Sequence, residues 1–330
     1  GARGERFDVI RPTTQRGFTL VELMVSLVIF TFAIAGVLSV AVAMTRAYRE
    51  QRRVIATETA ARAPMDFIVD ALRQASPGVT TATIKDASAA GCTFTGSAIQ
   101  LTDSETGPDQ LTVVYASGGA VSTTQSAFTS SSSSISIPSV HVGDYAIGDY
   151  VLVSNETDGT LARVTQVNAS SLDINVACST AFPTGGYPAG SMLIRAQRAK
   201  FTVEMLDGYP TLMMYPNGAT VPEPVAEGVE DLQIAIGADV DGNGALSTPV
   251  LNSTTDEWFG NAPSETLPST APIRAVQIVI VARDTNPLRG TPSFYQPGDA
   301  LNHPGSTTAD NFRRRVLSSI VEIRNLSGSP

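Results

Sequence analysis

The stretch Gly17-Phe18-Thr19-Leu20-Val21-Glu22, together with the apolar run that continues to Met44, decides how this chain is built. Between Gly17 and Met44 there is no Lys, Arg, Asp or Pro, and Glu22 is the only charged residue. About 20 apolar residues in a helix that rises about 1.5 Å per residue span the hydrocarbon core of a bilayer, and this run is longer. We therefore predict a transmembrane helix over residues 18–44.

Two other interpretations of the run fit less well. A buried core helix is usually shorter and carries a polar face. A cleaved secretory signal would use Ala41-Val42-Ala43 as its cleavage site, after the basic residues Arg3, Arg6, Arg11 and Arg16. The apolar region of such a signal is typically about 7–15 residues long, which is much shorter than this run.

Glu22 needs a partner, because a carboxylate in hydrocarbon costs about 2.5–3.5 kcal/mol on the most lenient scale. The apolar run offers no such partner on the same helix. Cleavage after Gly17 would give Phe18 a positively charged amine one turn away. The same amine on a neighbouring subunit could lie opposite Glu22, and this charge pair would set the axial register of packed helices.

The string from Gly17 to Glu22, followed by a long apolar helix, resembles the type III signal of type IV pilins and pseudopilins. The resemblance implies that residues 1–17 are a leader peptide, which a prepilin peptidase removes by cutting between Gly17 and Phe18. It also implies that Phe18 is then N-methylated and that Glu22 helps to dock the subunit into a growing filament. The motif covers only the N-terminal tenth of the chain.

Later segments narrow the resemblance. Four of them are similar to the minor pilin family called type IV pilus-assembly protein W: 225–234, 239–244, 276–283 and 313–325. The related minor pseudopilin J of type II secretion is usually shorter, and an insertion at about 135–180 favours protein W. The implied function is a minor pilin that helps to prime pilus assembly and lies in or near the tip complex. A type II secretion pseudopilin is the alternative.

The resemblance also implies partners and a location. The expected partners are the prepilin peptidase, the major pilin, other minor pilins, the inner-membrane assembly platform and, as a further candidate, a large tip adhesin. Before assembly the protein would cross the inner membrane once, with its N-terminus in the cytoplasm, and its head would be periplasmic or extracellular. The arginines before the run favour this orientation. Arg46, Arg49, Arg52 and Arg53 on the far side weaken that argument, so the orientation also depends on the resemblance.

The helical pattern continues beyond Met44 but becomes amphipathic. One face carries Ala47, Val54, Ala61, Met65, Ile68 and Leu72, at spacings of seven, seven, four, three and four. We predict an amphipathic half of the helix over residues 45–76, packed on a globular head. Pro64 should kink this half, and Ser76-Pro77-Gly78 should end it.

Residues 77–330 are predicted to form a β-rich head, so the expected fold class is α+β and pilin-like. The long N-terminal helix would pack on an antiparallel sheet, with an inserted β-subdomain at about 135–180. Alternating and apolar segments predict strands at 111–115, 150–153, 161–167, 172–176, 192–195, 201–205, 211–215, 276–281 and 316–323.

The net charge of −9 argues against nucleic acid as the main partner. The leader has two more basic than acidic residues, so the processed chain would carry −11. The basic cluster Arg313-Arg314-Arg315 precedes a strand and is predicted to be a solvated strand end.

Cys92 and Cys178 are the only cysteines. In an oxidising periplasm they have a single possible pairing, so we predict a disulfide between them. Two free buried thiols are the alternative.

Asp239-Val240-Asp241-Gly242-Asn243-Gly244 places side-chain oxygens at alternate positions, as in the first half of a calcium loop, and Ser247 could add a ligand. Val250 stands where such a loop needs a bidentate glutamate, although Asp256 or Glu257 could replace it. The alternative is a solvated Asx turn. The sequence implies no other cofactor.

The sequence carries no catalytic signature, and we predict that the protein is not an enzyme. The histidines His141 and His303 lie in loops, and no acid or nucleophile lies at a spacing that indicates a catalytic site. Both histidines are expected at the surface. A membrane-tethered hydrolase is therefore only a remote alternative. Trp258-Phe259 is either an aromatic anchor for a partner or a buried plug over the sheet.

Overall fold

The computed structural model describes residues 17–77, 83–88, 92, 94–155, 157–268, 271–288, 293–294, 300–306 and 308–323, without the side chains of Arg53 and Ala56. Residues 1–16 of the predicted leader lie outside the described residues, as do Gly78 and residues 324–325. The chain divides into two compact units, Gly1–Val54 and Ile55–Pro330.

Helix α1 runs from Leu20 to Arg73 without interruption, and Pro64 lies inside it. In the first unit, every helical residue from 20 to 49 is exposed, including all the large apolar side chains. By length and composition this helix is able to cross a membrane. Apolar residues exposed over so many turns are stable in lipid or against other apolar helices, and not in water.

In the second unit the last turns of α1 supply one side of the main hydrophobic core. Met65, Ile68 and Leu72 are buried, as the spacing of three and four residues predicts. The ring of Phe67 meets that of Phe201 edge to face, with centroids 5.8 Å apart. Burying a side chain such as Ile68 contributes about 1.5–3 kcal/mol, so these few residues hold the end of the helix firmly on the head.

The described residues of the head form the strands β1 (Ile84–Asp86), β2 (Thr95–Gly96), β3 (Ile99–Thr102), β4 (Gln110–Thr123), β5 (Ser134–Ser136), β6 (Tyr150–Ser154), β7 (Gly159–Val167), β8 (Ser171–Asn175), β9 (Met192–Leu206), β10 (Tyr209–Pro216), β11 (Glu223–Glu227), β12 (Val229–Ala238), β13 (Trp258–Phe259), β14 (Ile273–Arg283) and β15 (Arg314–Glu322).

These strands make two sheets. The larger one has the order β11-β10-β9-β6-β7-β1-β2, with β4 also on β9, β3 on β4, β8 on β7 and β5 on β8. The smaller one has the order β13-β12-β14-β15. Among the described pairings only β1 with β7 is parallel, so the head is the antiparallel β structure that the sequence predicts. The α+β fold class is confirmed.

Strand β9 corrects one sequence-based expectation. The sequence predicts separate strands at 192–195 and 201–205, because the segment between them is polar, but the structure has one strand of 15 residues. Arg198 in the middle of β9 lies 3.3 Å from the buried carboxylate of Asp86 and stacks on the ring of Phe94. This pairing lets the strand continue through a basic residue, since a buried charge is tolerated when it is matched.

A second hydrophobic cluster lies among β4 to β9, apart from the core against α1. The rings of Phe128, Phe182 and Tyr187 pack together in it, with Phe128 and Tyr187 stacked at 5.5 Å. The Tyr187 hydroxyl lies 2.8 Å from Thr160 Oγ1. This cluster extends to both sides of 135–180, so the proposed boundaries of an inserted subdomain stay a prediction.

Trp258 is buried and covers part of the small sheet, as in the second of the two interpretations from the sequence. Its side chain is 3% exposed, and its Nε1 donates a hydrogen bond to the Ser247 carbonyl at 2.8 Å. It packs on Gly237 of β12, where an added Cβ would lie 3.2 Å from the Trp258 ring and 2.6 Å from Leu246. A side chain at position 237 would therefore crowd the indole and Leu246, and the buried Trp258 is not available to a partner.

A buried acid joins β12 to the loop that precedes β4. Asp109 is 0% exposed, and its two carboxylate oxygens accept the backbone N–H groups of Ser104 and Ile234, each at 2.8 Å. Burial raises the pKa of Asp109 to about 8, with Asp103 and Asp231 adding to the effect and the two N–H donors opposing it.

His303 is not a surface residue, contrary to expectation. Its Nδ1 lies 2.5 Å from Oδ2 of the buried Asp231, and its side chain is 11% exposed. Gln233 Nε2 donates to the other Asp231 oxygen at 3.0 Å and to the Gly107 carbonyl at 2.9 Å. His141, in contrast, is well exposed and contacts Asp144 at 3.2 Å. The sequence could not distinguish these two histidines, because the partner of His303 is 72 residues away.

Replacing Asp109 with Asn is expected to flatten the dependence of stability on pH. The folded protein keeps the Asp109 proton up to about pH 8, whereas the unfolded chain releases it near the ordinary value of 3.8. The folded state thus binds more protons in this window, and the free energy of unfolding should fall as pH rises through it. Urea denaturation at several pH values measures this slope, with the exposed turn substitution Asp207→Asn as control. Equal slopes in wild type and Asp109→Asn would contradict the assignment.

Candidate functional site

The start of α1 is a reciprocal cap made by Thr19 and Glu22. Glu22 Oε2 accepts hydrogen bonds from the backbone N–H and the hydroxyl of Thr19, both at 3.1 Å. In return, Thr19 Oγ1 accepts the backbone N–H of Glu22 at 3.3 Å. This is a capping box, in which Thr at the N-cap and Glu three residues later satisfy N–H groups that the helix leaves free.

The cap corrects the expectation that Glu22 has no partner on its own helix. Thr19 lies one residue before the helix and supplies two donors to one carboxylate oxygen. An ionised carboxylate has about four acceptor positions, so Glu22 can still take a donor from outside the chain. The Thr-x-x-Glu spacing from Thr19 to Glu22 is a local signal in the sequence from which this cap could have been predicted.

Gly17 and Phe18 lie before the helix, in backbone without regular structure. Both are exposed, and the Phe18 side chain is 85% exposed. The bond between them is therefore outside the helical hydrogen-bond ladder. The proposed roles of Gly17, Phe18 and Glu22 in cleavage, methylation and docking stay predictions.

The two cysteines are joined in the structure. Cys92 and Cys178 form a disulfide with their Cα atoms 5.4 Å apart, across a sequence separation of 86 residues. The hydroxyl of Thr180 lies 3.3 Å from the Cys92 sulfur and 3.2 Å from the Cys178 sulfur. The bond closes a loop that contains β2 to β8.

The acidic loop after β12 is organised around Asp239, whose side chain is buried. Its Oδ2 accepts two hydrogen bonds from Arg274, at 2.9 and 2.7 Å, and one from Gly244 N–H at 3.0 Å. Its Oδ1 accepts Gly242 N–H at 2.8 Å. The Arg274 guanidinium holds the pKa of Asp239 below its usual value, and the two backbone donors act in the same direction.

The other predicted calcium ligands mostly serve the loop itself. Asn243 Oδ1 accepts Ala245 N–H at 2.8 Å, and Ser247 Oγ accepts Glu257 N–H at 2.9 Å. Asp241 accepts the backbone and side-chain amides of Asn243. One oxygen each from Asp239, Asp241 and Glu257 lie within 4.8 Å of one another.

These contacts favour an Asx turn closed by an ion pair over a calcium loop. Arg274 already supplies the positive charge next to Asp239, and a second cation there would be repelled by it. Glu257 is also in use, since its carboxylate accepts Val240 N–H at 3.0 Å and Ser247 N–H at 2.9 Å. Calcium binding was only one of two interpretations in the sequence, and it is not needed to explain this loop.

Arg314 corrects the interpretation of the basic cluster before β15 as a solvated strand end. Its side chain is 7% exposed and forks between Glu230 and Asp310, with Nη2 to Glu230 at 3.0 Å and Nη1 to Asp310 at 2.8 Å. Arg283 approaches the same Glu230 at 3.4 Å. The Arg314 guanidinium lowers the pKa of Asp310. Arg314 is therefore part of a structural ion network that joins β12, β14 and β15, whereas Arg315 is exposed, as expected of a solvated strand end.

Two family models match the chain. Residues 12–38 match the prokaryotic N-terminal methylation motif, and residues 200–325 match Type IV Pilus-assembly protein W. With the exposed apolar helix behind Glu22, these matches define a pilin-like protein whose prepilin-type start fits membrane anchoring and association with a pilus. Within that class the chain is similar to type IV pilus minor pilins, through its match to Type IV Pilus-assembly protein W over residues 200–325. The resemblance predicted from the sequence is confirmed.

Among solved structures, the chain is similar to a type IV-like pilin from Thermus thermophilus. The identity is 18%, the comparison covers 55% of this chain and 85% of that chain, and the TM-score is 0.25. A likeness at this score supports no argument about the fold or the function. None of the curated proteins matches the chain.

Replacing both Cys92 and Cys178 with Ser is expected to lower the free energy of unfolding by about 4–5 kcal/mol, because the bond constrains a long loop in the unfolded state. Urea denaturation of oxidised wild type and the double variant measures the difference. Reduced wild type serves as the matched control and should resemble the variant. A loss under about 1 kcal/mol would mean that the bond contributes little constraint.

Arg274→Gln is expected to lower the melting temperature at neutral pH, since Asp239 would keep its charge without its partner. Because the pKa of Asp239 is depressed in the folded state, the stabilisation is present above the ordinary value of 3.8 and is lost as pH falls below it. The difference between wild type and variant should therefore shrink in acid.

A comparison of wild type with Asp241→Asn tests calcium binding. Isothermal calorimetry with about 1 mM Ca²⁺, in the weak range for protein sites, should give no heat with wild type. Saturable heat with wild type that disappears in Asp241→Asn would show instead that the loop is a calcium site.

Proposed function

We propose that this protein helps to prime type IV pilus assembly and takes a place in or near the complex at the pilus tip. The match of residues 200–325 to Type IV Pilus-assembly protein W supports this proposal, together with the arrangement at the N-terminus. The prepilin-like string that begins at Gly17 precedes a continuous helix, and the exposed apolar part of that helix, residues 20–44, carries a single carboxylate, held in its first turn. This arrangement lets a subunit rest in a membrane and then pack beside other subunits.

Cleavage between Gly17 and Phe18 is compatible with the cap. Thr19 becomes the second residue of the processed chain, so its backbone N–H remains an ordinary amide that can donate to Glu22. Cleavage one residue later would convert this donor into the chain terminus. The new amine would belong to Phe18, which the resemblance makes the site of N-methylation.

In this proposal, Glu22 sets the position of the helix along its axis relative to neighbouring helices. Apolar side chains packed against apolar side chains, or against lipid, slide with little change in free energy, because no directional interaction is lost. A charge pair between Glu22 and the amine of a neighbouring subunit does have a preferred position. Since Thr19 uses only one oxygen of the carboxylate, the second oxygen would be the one that meets the neighbour.

The disulfide supports a periplasmic or extracellular head, since such bonds persist in oxidising compartments. The N-terminus would then be cytoplasmic before assembly, and the helix would cross the inner membrane once. The partners in this proposal are the prepilin peptidase, the inner-membrane assembly platform, the major pilin and other minor pilins, with a large tip adhesin as a further candidate.

Glu22→Ala is expected to give a folded, membrane-inserted protein that fails to enter pili, because the helix loses its preferred axial position. Glu22→Gln separates the two roles of the side chain, since it keeps an oxygen for the cap but removes the charge. Thr19→Val is the matched control that removes the side-chain cap and leaves the charge. The measurement is the fraction of each variant in sheared pili against the membrane fraction.

Normal incorporation of Glu22→Ala into pili would contradict the register role. If Glu22→Ala fails to enter pili but Glu22→Gln enters them normally, the charge is not needed and Glu22 acts only as a helix cap. A deletion strain distinguishes the alternative system. Loss of pili supports the proposal, whereas loss of exoprotein secretion with intact pili would assign the protein to type II secretion.

A further inference from the structure

Strand β15 forms one end of the small sheet, and among the described residues only β14 pairs with it. At the two ends of this pairing, Ile323 N–H donates to the Arg274 carbonyl and Asp284 N–H donates to the Arg313 carbonyl, at 2.8 and 2.9 Å. Odd-numbered residues therefore bond to β14. Because backbone groups alternate along a strand, those of the even-numbered residues 314–322 point away from the sheet.

The outward positions of β15 also carry exposed side chains. Val316 is 42% exposed and Ile320 is 51% exposed, with the exposed Ser318 between them. An open cleft of about 620 Å³ next to this end of the strand is lined by Arg73, Ile320, Val321 and Glu322. Within the described part of the chain, the edge thus offers backbone donors and acceptors without a partner, two apolar side chains and space beside them.

The other described sheet ends lack this combination. β2 and β13 have two residues each, β5 has three and β3 has four, and β11 has five residues, one of which is Pro224. Short strands and proline are the usual ways in which proteins prevent unwanted pairing at a sheet edge. β15 has nine residues, without Pro or Lys, and its exposed charges lie at its ends, at Arg315 and Glu322.

We propose that the outer edge of β15 binds an extended strand of another protein, which runs antiparallel to β15 and continues the small sheet. The partner strand would carry apolar residues opposite Val316 and Ile320, a small residue opposite Ser318 and a basic residue opposite Glu322. Main-chain hydrogen bonds give such strand addition its affinity, and the alternate side chains give it specificity. The proposal concerns a surface of the head and does not depend on the role of Glu22.

A second copy of this chain fits the edge less well. The antiparallel register that pairs Val316 with Ile320 would place Arg314 of one copy opposite Glu322 of the other. Arg314 is already held by Glu230 and Asp310, so its guanidinium is not available to a second Glu322. The charge pattern therefore favours a different chain, one whose basic residue is free.

The test uses the full chain in detergent and a fluorescent synthetic octapeptide, Lys-Thr-Ile-Thr-Ser-Thr-Val-Glu, which has the proposed pattern. Fluorescence anisotropy should show saturable binding to wild type. Ser318→Pro removes one outward N–H but none of the bonds to β14, so the strand should stay folded while binding weakens at least about tenfold. Ser318→Thr keeps the N–H and is the matched control. A peptide with Lys and Glu exchanged should bind more weakly.

Hydrogen exchange on wild type gives a second readout that does not depend on the proline variant. The amides of Val316, Ser318 and Ile320 should exchange quickly alone and slow down when the octapeptide is added. No saturable binding to wild type, or equal binding by Ser318→Pro in a folded state, would overturn the proposal. So would slow exchange at these amides in the protein alone with concentration-dependent dimers, because the edge would then serve a second copy.

Discussion

The constraint on which the N-terminal unit depends is the cost of one carboxylate in a helical stretch, residues 20–44, that carries no other charge. The helix can accept Glu22 because the residue lies in the first turn, where free backbone N–H groups and the positive end of the helix dipole meet it. Thr19 completes the arrangement with its own N–H and hydroxyl. A carboxylate further along the run would have neither the end of the helix nor Thr19 beside it. The position of Glu22 in the first turn is thus as important as its charge.

The head depends on the last turns of the same helix. Ile68 and Leu72 have no exposed surface, and they close the core between the two sheets. Around that core, several charged side chains form matched pairs, such as Asp239 with Arg274 and Glu230 with Arg314. Each pair joins segments that are distant in sequence, so the charges specify which strands and loops meet.

Much of this was predictable from periodicity. The helix and most of the long strands follow from repeating apolar spacing, because that spacing reports which face is buried. The single possible cysteine pairing was equally accessible. What the sequence could not supply was the partner of each polar residue. Arg198, His303 and Arg314 all resemble surface residues until the folded chain brings Asp86, Asp231 and Glu230 to them. The Thr19–Glu22 cap is a different case, since its local spacing was visible.

The covalent bond between Cys92 and Cys178 has a mechanical consequence. When the two ends of an unravelled chain are pulled apart, the load passes directly from one sulfur to the other. The backbone between Cys92 and Cys178, a sequence separation of 86 residues, then bears none of it. A fully extended chain gains about 3.3–3.6 Å per residue. The bond therefore shortens the maximal extension of an unravelled head by roughly 280–310 Å, and strands β2 to β8 remain slack while the rest of the chain is stretched.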